Sequence, residues 1–383
     1  MRIIIIGAVA AGTSAAAKAR RNKEDAEIVI YEKDGDISYS GCGIPYFLGG
    51  HLHHVDDLTP RGPAFFKSKY NVDIHIRHEV LSIEPKAKHV IIKNLKTGAV
   101  ITDTYDTLVI ATGASASVPP IPGVNLPHVF TLRNISDTRC LKGFLDKKHP
   151  HTAVILGSGF IGLEMCENLT KLGMDVTVLE KLPHVTPALD EDIAVYVEDY
   201  LAEKGIAVET DVTVQKIHSE SVVLADGRQI PADMVLLATG VHPNTTLAEA
   251  AGITLGAAGA IRVNRQMQTN LPDIYACGDC IETYDVVTGN PFYRPLGSTA
   301  NKTGRIAGDQ LTGGDLTFRG VLGTGIFCVF ELAVAQTGLS EREAKAQGFD
   351  VVVCHNIKPD RPAYMGGREM IIKGIADKAD GRL

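Results

Sequence analysis

Four isoleucines in a row, Ile3 to Ile6, follow Met1-Arg2 and run straight into Gly7. An apolar run without alternation reads as a strand covered on both faces, the pattern of a parallel sheet under helices. Beyond the turn, alanines at 15, 16, 17 and 19 predict a helix over 13–21 that packs closely on that sheet. A second strand over 28–31 then ends at Glu32. The same succession returns later: a strand over 153–156, a glycine-rich turn, a helix over 161–172, and a strand over 176–179 ending at Glu180. Leu108-Val109-Ile110-Ala111-Thr112-Gly113 also has a counterpart in Leu236-Leu237-Ala238-Thr239-Gly240. These repeats predict two related βαβ-type domains, with Pro119, Pro120 and Pro122 marking the linker. A helix over 296–311 follows, and from Phe318 a third part with strands near 325–336 and 350–355.

Composition narrows the class. At 45% hydrophobic and 22% charged, the 383 residues are those of an ordinary globular chain of more than one domain. The net charge of −7 leaves no basic footprint for nucleic acid and no polybasic membrane anchor. No stretch approaches the roughly 18 apolar residues of a membrane span, and the first apolar run is too short for a signal peptide. Seven scattered cysteines do not read as a secreted disulfide framework, so a cytoplasmic location is expected.

The turns carry the candidate chemistry. Gly7-Ala8-Val9-Ala10-Ala11-Gly12 keeps the outer glycines of G-x-G-x-x-G and has Val9 in the middle place. Its small residues still let a helix N-terminus approach a pyrophosphate, and Glu32, twenty residues after Gly12, stands where an acid binds a ribose diol. Gly157-Ser158-Gly159-Phe160-Ile161-Gly162 is the full motif, and Glu180 follows Gly162 by eighteen residues. A carboxylate there accepts from a free 2′-hydroxyl and repels a 2′-phosphate, which favours NADH; neighbouring Lys181 leaves NADPH open. The segment over 269–279 reads as a strand that brings Asp279 to a ligand at a strand's C-terminal end. Between the first βαβ unit and Pro60 lies Ser38-Tyr39-Ser40-Gly41-Cys42-Gly43-Ile44-Pro45-Tyr46. A cysteine between glycines at a helix start sits where the helix N-terminus favours negative charge.

Together these motifs resemble the single-cysteine branch of the pyridine nucleotide–disulfide oxidoreductase superfamily along the whole chain. The coenzyme A-disulfide reductase and NADH-dependent persulfide reductase group is the most similar part of it. Ser38, Cys42, Pro45 and Tyr46 match that group's Ser-x-x-x-Cys-x-x-Pro-Tyr signature, and the second, closely spaced cysteine of glutathione-reductase relatives is missing. The resemblance implies an α/β fold of two Rossmann-like three-layer domains, glutathione-reductase-like, plus a partial α+β dimerisation domain. Residues 1–113 and 245–315 would bind FAD, 114–244 would bind NAD(H), and 316–383 would form the homodimer. It assigns Gly7, Ala10, Ala11, Gly12, Glu32, Ala111, Thr112, Gly113 and Asp279 to FAD, with Asp279 on the ribityl chain. It assigns Gly157, Gly159, Phe160, Ile161, Gly162, Glu180 and Gly240 to the nicotinamide cofactor.

The same resemblance implies that Cys42 forms a mixed disulfide with the substrate thiol over the flavin. Ser14, Lys18, Arg21, Ser38, Asn301 and Arg305 would face a coenzyme A-linked disulfide or persulfide, and Tyr364 would reach the partner's active site. Asn301 and Arg305, four apart, share one helix face. Oxidase and peroxidase relatives carry a histidine where this chain has Ala10. An NADH oxidase and a slow-turnover redox sensor are the rival readings. Cys328 stands where relatives often have lysine, and Tyr364-Met365 where the coenzyme A group often has paired tyrosines. The chain ends at Asp380-Gly381-Arg382-Leu383, in mid-pattern for the dimerisation domain, so a longer protein, with a rhodanese-like domain as one form, is expected. The Cys277-Gly278-Asp279-Cys280 spacing overlaps the FAD motif and lacks a second ligand pair, and His51, His53 and His54 read as solvated loop residues, so no metal site is expected.

Overall fold

The computed structural model describes residues 1–382, so the last residue of the expected C-terminal pattern, Leu383, lies outside the described residues. The chain divides into two compact units, one of residues 1–117, 132–147 and 240–323, the other of 118–131, 148–239 and 324–383.

The first unit is built on a five-stranded parallel sheet in the order Ile274–Ala276, Thr107–Ile110, Arg2–Ile6, Glu27–Glu32, Asp73–Ile76. Ile3, Ile4 and Ile5 are fully buried in its middle strand, as their unbroken apolar run requires. An antiparallel three-stranded sheet, His78–Glu84, His89–Asn94 and Val100–Thr104, follows the last parallel strand.

Two helices of this unit meet by backbone contact. A Cβ on Gly304 would come 2.3 Å from the Ala11 carbonyl oxygen, and one on Gly308 2.3 Å from that of Ala15. Both pairs are spaced by four, so Ala11–Asn22 and Gly297–Gln310 lie along each other where any larger side chain would hold them apart.

The second unit repeats this plan. Its parallel sheet runs Ala207–Glu209, Asp175–Leu179, Thr152–Leu156, Met234–Leu237, Val129–Thr131, and its antiparallel sheet is Val214–Ile217, Ser221–Leu224, Gln229–Pro231. The Thr152–Leu156 strand pairs with Asp175–Leu179 and Met234–Leu237 as Arg2–Ile6 pairs with its own neighbours. Two hairpins follow, Gly325–Val329 with Leu332–Gln336, and Val351–Pro359 with Glu369–Asp377. Buried Glu167, on the helix Phe160–Lys171, fixes the first hairpin by accepting from the Phe330 amide at 2.7 Å. Buried Lys373 ties the second to Asp190, Asp192 and Glu341 at 3.1, 2.8 and 2.7 Å. Among the described residues no helix is long and apolar enough to cross a membrane.

Candidate active site

The first glycine turn is held by sterics and by an acid. Gly7 has φ +106°, and a Cβ on it would stand 2.2 Å from the Ala111 carbonyl oxygen. A Cβ on Gly12 would come 1.9 Å from the oxygen of Gly7. Glycine is therefore demanded at both ends, whereas Val9 in the middle meets no such limit. Glu32 accepts from the Ala8 amide at 2.8 Å and from the Asp34 amide at 2.9 Å. Burial pushes its carboxyl pKa up, and these two amides pull it back. The helix begins at Ala11 with no side chain capping its N-terminus, which leaves first-turn N–H groups to a phosphate.

The cysteine segment hangs from this turn. Ser38, in the left-handed region at φ +49°, donates its amide to the Ala8 carbonyl at 3.0 Å. Four residues on, Cys42 occupies a 3₁₀ turn, Gly41–Gly43, that leads into the short helix Ile44–Leu48 with Pro45 in its first turn. The Ser40 amide is tied to the Leu58 carbonyl at 2.8 Å, and the Cys42 thiol is free and exposed.

Ala111, Thr112 and Gly113 follow the sheet strand beside Gly7. Asn244 clamps them: it accepts from Thr112 Oγ1 at 2.7 Å through its carbonyl, donates to the Thr112 carbonyl at 2.9 Å through Nδ2, and donates its amide to Gly113 at 2.9 Å. Asp279 ends the strand Ile274–Ala276 after the positive-φ Gly278. Arg133 donates to its Oδ2 at 2.7 Å. Burial raises the Asp279 pKa and Arg133 opposes that rise. Its Oδ1 is buried with no protein partner, so the carboxylate keeps one acceptor for a ligand hydroxyl, which fits a ribityl chain.

The second turn has the same design. Gly157 has φ +101° with a Cβ position 2.5 Å from the Ala238 oxygen, and Gly162 would meet the Gly157 oxygen at 2.2 Å. A Cβ on Gly159 would meet open space. Glu180 accepts from Ser158 N at 2.9 Å, Ser158 Oγ at 2.6 Å and Leu182 N at 2.9 Å. Phe160 and Ile161 open the helix, again without a side-chain cap, and both are partly exposed. Thr186, buried beside Gly159, has an unpartnered Oγ1. Glu164, one turn into the helix, is pushed up to about 7 by burial and by Glu167. Compactness groups Gly240 with the first unit, where its carbonyl accepts from Ser117 N at 2.9 Å.

A groove of about 450 Å³ brings Lys18, Arg21 and Arg305 together with Lys302, Ile306 and Arg319. Ser14, Ser38 and Asn301 do not line it. Lys302, Arg319, Arg133 and Asn244 escaped the sequence reading. Isolated polar residues in loops and helix faces carry no spacing that marks them, and only the fold gathers them. Tyr364 stands at the tip of the last hairpin, 88% exposed. Cys277 and Cys280 are fully buried, burial pushes both thiols up, and they belong to the core of the first unit. Among the described residues no group of three or more His, Cys, Asp or Glu is placed to hold a metal.

Two duplicated βαβ folds, each with a glycine turn and a helix N-terminus left uncapped by any side chain, define a protein built for two dinucleotides. The pyridine nucleotide-disulphide oxidoreductase profile matches residues 1–295, and the chain belongs to that family. It is thus an FAD-dependent oxidoreductase that uses a nicotinamide dinucleotide. Among relatives, the NADH oxidase of Methanocaldococcus jannaschii is 37% identical over 388 residues, covering 100% of this chain and 86% of the relative. The solved NAD-dependent persulfide reductase from A. fulgidus is 40% identical with a TM-score of 0.96, covering 99% of this chain and 72% of the other. The reduced CoADR-RHD of Bacillus anthracis is 37% identical with a TM-score of 0.96, covering 98% and 69%.

Proposed function

We propose that the protein reduces coenzyme A disulfide, or a related persulfide or polysulfide, with NADH, through the single thiol of Cys42. The observation that carries this reading is the exposed, free Cys42 on a turn anchored to the first glycine loop through Ser38 and Ala8. FAD, when bound, accepts hydride from the nicotinamide and supplies two electrons for disulfide cleavage. Gly7, Ala10, Ala11, Gly12, Glu32, Ala111, Thr112, Gly113 and Asp279 would hold it. Gly157, Gly159, Phe160, Ile161, Gly162, Glu180 and Gly240 would hold the nicotinamide cofactor.

The Cys42 thiolate attacks one sulfur of the substrate disulfide. The Cys42–sulfur bond forms as the substrate S–S bond breaks, and one half leaves as a thiolate. When the mixed disulfide takes up two electrons, the other half leaves and the Cys42 thiolate returns. NADH and one proton from water thus convert one disulfide into two thiols. The groove of Lys18, Arg21, Lys302, Arg305 and Arg319 offers clustered cations to the phosphates of a coenzyme A carrier. Ser14, Ser38 and Asn301, which do not line this groove, would face the coenzyme A-linked substrate as well.

The protein acts as a cytoplasmic homodimer in this reading, with residues 316–383 as the dimerisation domain. Tyr364 of the partner subunit protonates the leaving thiolate. The high exposure of Tyr364 supports that placement.

Cys42→Ser tests the proposal. The variant should keep FAD and accept hydride from NADH, yet lose reduction of coenzyme A disulfide and persulfide by at least 100-fold. Full disulfide reduction by Cys42→Ser would sink it. The oxidase relative motivates one rival: if the wild type turns over only with oxygen, that reading wins despite Ala10.

A further inference from the structure

We propose that Arg342 is a positioning residue for the nicotinamide cofactor. Through the Pro187 carbonyl it holds the segment Thr186–Leu189 beside the second glycine turn, so the C-terminal part of the chain sets how well that turn binds. The proposal rests on the reading of Gly159 and Phe160 as cofactor-binding residues, and it adds a residue that reaches the cofactor only through that segment.

The segment Thr186–Leu189 shares a cavity of about 40 Å³ with Gly159 and Phe160. Thr186 is 4% exposed, and its Oγ1 has no protein partner. A buried hydroxyl that the fold leaves unused fits a wall that serves a ligand. The cavity is narrow, so a small outward shift of the segment changes what a ligand at Gly159 meets. Thr186 is tied to the turn itself, because its amide donates to the Ser158 carbonyl at 3.3 Å and to Ser158 Oγ at 3.2 Å. The next residue is held from far down the chain: Arg342 Nη2 donates to the Pro187 carbonyl at 2.7 Å, across 155 residues of sequence.

Asp190 anchors this strut. It stands at the N-cap of the helix Glu191–Glu203, where an aspartate ordinarily accepts from the amides of its own helix. It gives that helix no side-chain bond. Its carboxylate accepts instead from Glu341 N at 2.8 Å and Arg342 N at 3.1 Å, with Lys373 Nζ at 3.1 Å. The cap is thus spent on joining the helix Glu341–Ala346 and the strand Glu369–Asp377 to the end of the cofactor segment. Arg342 takes part twice, by its amide at Asp190 and by its guanidinium at Pro187, so its two bonds fix the segment's last four residues against one helix start. Lys373 is the poorer probe, because its loss strands the carboxylates of Asp190, Asp192 and Glu341. Arg342 is exposed, and its side chain can be removed without opening the core.

Stopped-flow bleaching of the flavin in the holoenzyme, at a series of NADH concentrations, tests this. Arg342→Ala should raise half-saturating NADH by about three- to tenfold, the worth of one hydrogen bond, with the limiting rate and FAD content unchanged. Arg342→Lys, which keeps a donor for the carbonyl, should recover at least part of the loss. The effect should persist at about 0.5 M salt, since it acts through a bond and not through long-range charge. By reciprocity, saturating oxidised NAD should slow amide exchange in the helix Glu341–Ala346 of the wild type, and Arg342→Ala should abolish that protection. Unchanged half-saturation in Arg342→Ala overturns the proposal, as does a loss that vanishes in salt or cofactor protection that survives the substitution. Gly157→Ala separates the two readings: if it too leaves half-saturation unchanged, the second turn is not the cofactor site, and the proposal falls with that reading.

Discussion

In the first turn Ala8 N reaches Glu32 Oε2 at 2.8 Å; in the second Ser158 N reaches Glu180 Oε2 at 2.9 Å. The amide two residues past each acid, Asp34 or Leu182, closes the other oxygen at 2.9 Å. Six residues past each acid, Ser38 and Thr186 both sit at φ +49° and return an amide to the residue after the first glycine. The two turns are one device used twice. What differs is what each device carries. The first leads to the 3₁₀ turn of Cys42, the second to Asp190 and the helix Glu191–Glu203. Glu164 in the second unit takes the place that Ser14 has in the first, two residues past the last glycine. The scaffold sets where a strand's C-terminal end opens, and the segment hung below it decides whether a cysteine stands there.

The largest break in this comparison should come from the first glycines. Gly7→Ala and Gly157→Ala both force a Cβ against a carbonyl, at 2.2 and 2.5 Å, on a backbone with positive φ. Each should cost on the order of 2–4 kcal/mol. The consequences should separate: Gly7→Ala loses FAD, while Gly157→Ala keeps FAD and loses flavin reduction by NADH. Absorbance of bound flavin and stopped-flow bleaching at saturating NADH check the two. If Gly157→Ala also released FAD, the turns would not act as independent devices.

Next in size is a difference in pH response, since Glu164 has no titrating counterpart in the first unit. Its folded pKa, pushed up to about 7 by burial and Glu167, lies above the ordinary glutamate value of 4.5. A raised folded pKa means that its contribution to stability is fully present below pH 4.5 and is lost as pH rises through about 7. Glu164→Gln should therefore gain on the order of 1–3 kcal/mol over the wild type at pH 8 and nothing at pH 4.5, in urea unfolding of the second unit's transition. A gain of equal size at both pH values would refute the titration argument.

Much of the duplicated device was legible in the chain, for a physical reason. A buried parallel strand cannot hide its apolar run, and a turn that tolerates no Cβ at Gly7 or Gly157 must spend glycine there. Positions read in the two βαβ units fall within two residues of the observed ones, as the helix expected over 161–172 is Phe160–Lys171, whereas the strand read over 269–279 is only Ile274–Ala276 and the one near 350–355 runs Val351–Pro359. The acids were legible as positions: spacing puts Glu32 and Glu180 at the ends of their strands, where a ribose is expected, and the structure shows each holding its own turn. Arg133 was not legible. A single arginine in a connecting segment has no periodicity, and its partner lies 146 residues away in sequence. The cationic groove was read in part. Lys18, Arg21 and Arg305 lie on helices, while Arg319 comes from the segment Phe318–Gly320 beyond the second helix, where no spacing links it to them.

A smaller change should appear in cofactor choice. Glu180→Gln removes the charge that repels a 2′-phosphate while keeping an oxygen for Ser158. The preference for NADH over NADPH, measured as kcat/KM, should narrow by about tenfold, or 1.4 kcal/mol, with Lys181 left to attract the phosphate. Glu32→Gln in the other turn should leave that ratio unchanged. A native enzyme that already prefers NADPH would contradict this assignment of Glu180.

The smallest effect isolates a side-chain hydroxyl that the second turn has and the first lacks. Ser158 Oγ donates to Glu180 Oε2 at 2.6 Å and accepts from Thr186 N at 3.2 Å, whereas Ala8 offers Glu32 only its amide. Ser158→Ala converts the second turn to the wiring of the first. Glu180 keeps the amides of Ser158 and Leu182, and Thr186 keeps the Ser158 carbonyl at 3.3 Å, so no group is left wholly without a partner. The cost should be that of one hydrogen bond to a charged acceptor, about 1–2 kcal/mol, well short of the penalty for stranding the carboxylate. Because the first turn works without a hydroxyl, Ser158→Ala should still bind NADH, with KM raised less than about fivefold and kcat unchanged. A loss of NADH binding as complete as that of Gly157→Ala would show that the hydroxyl, and not the shared amide wiring, holds the second turn in shape.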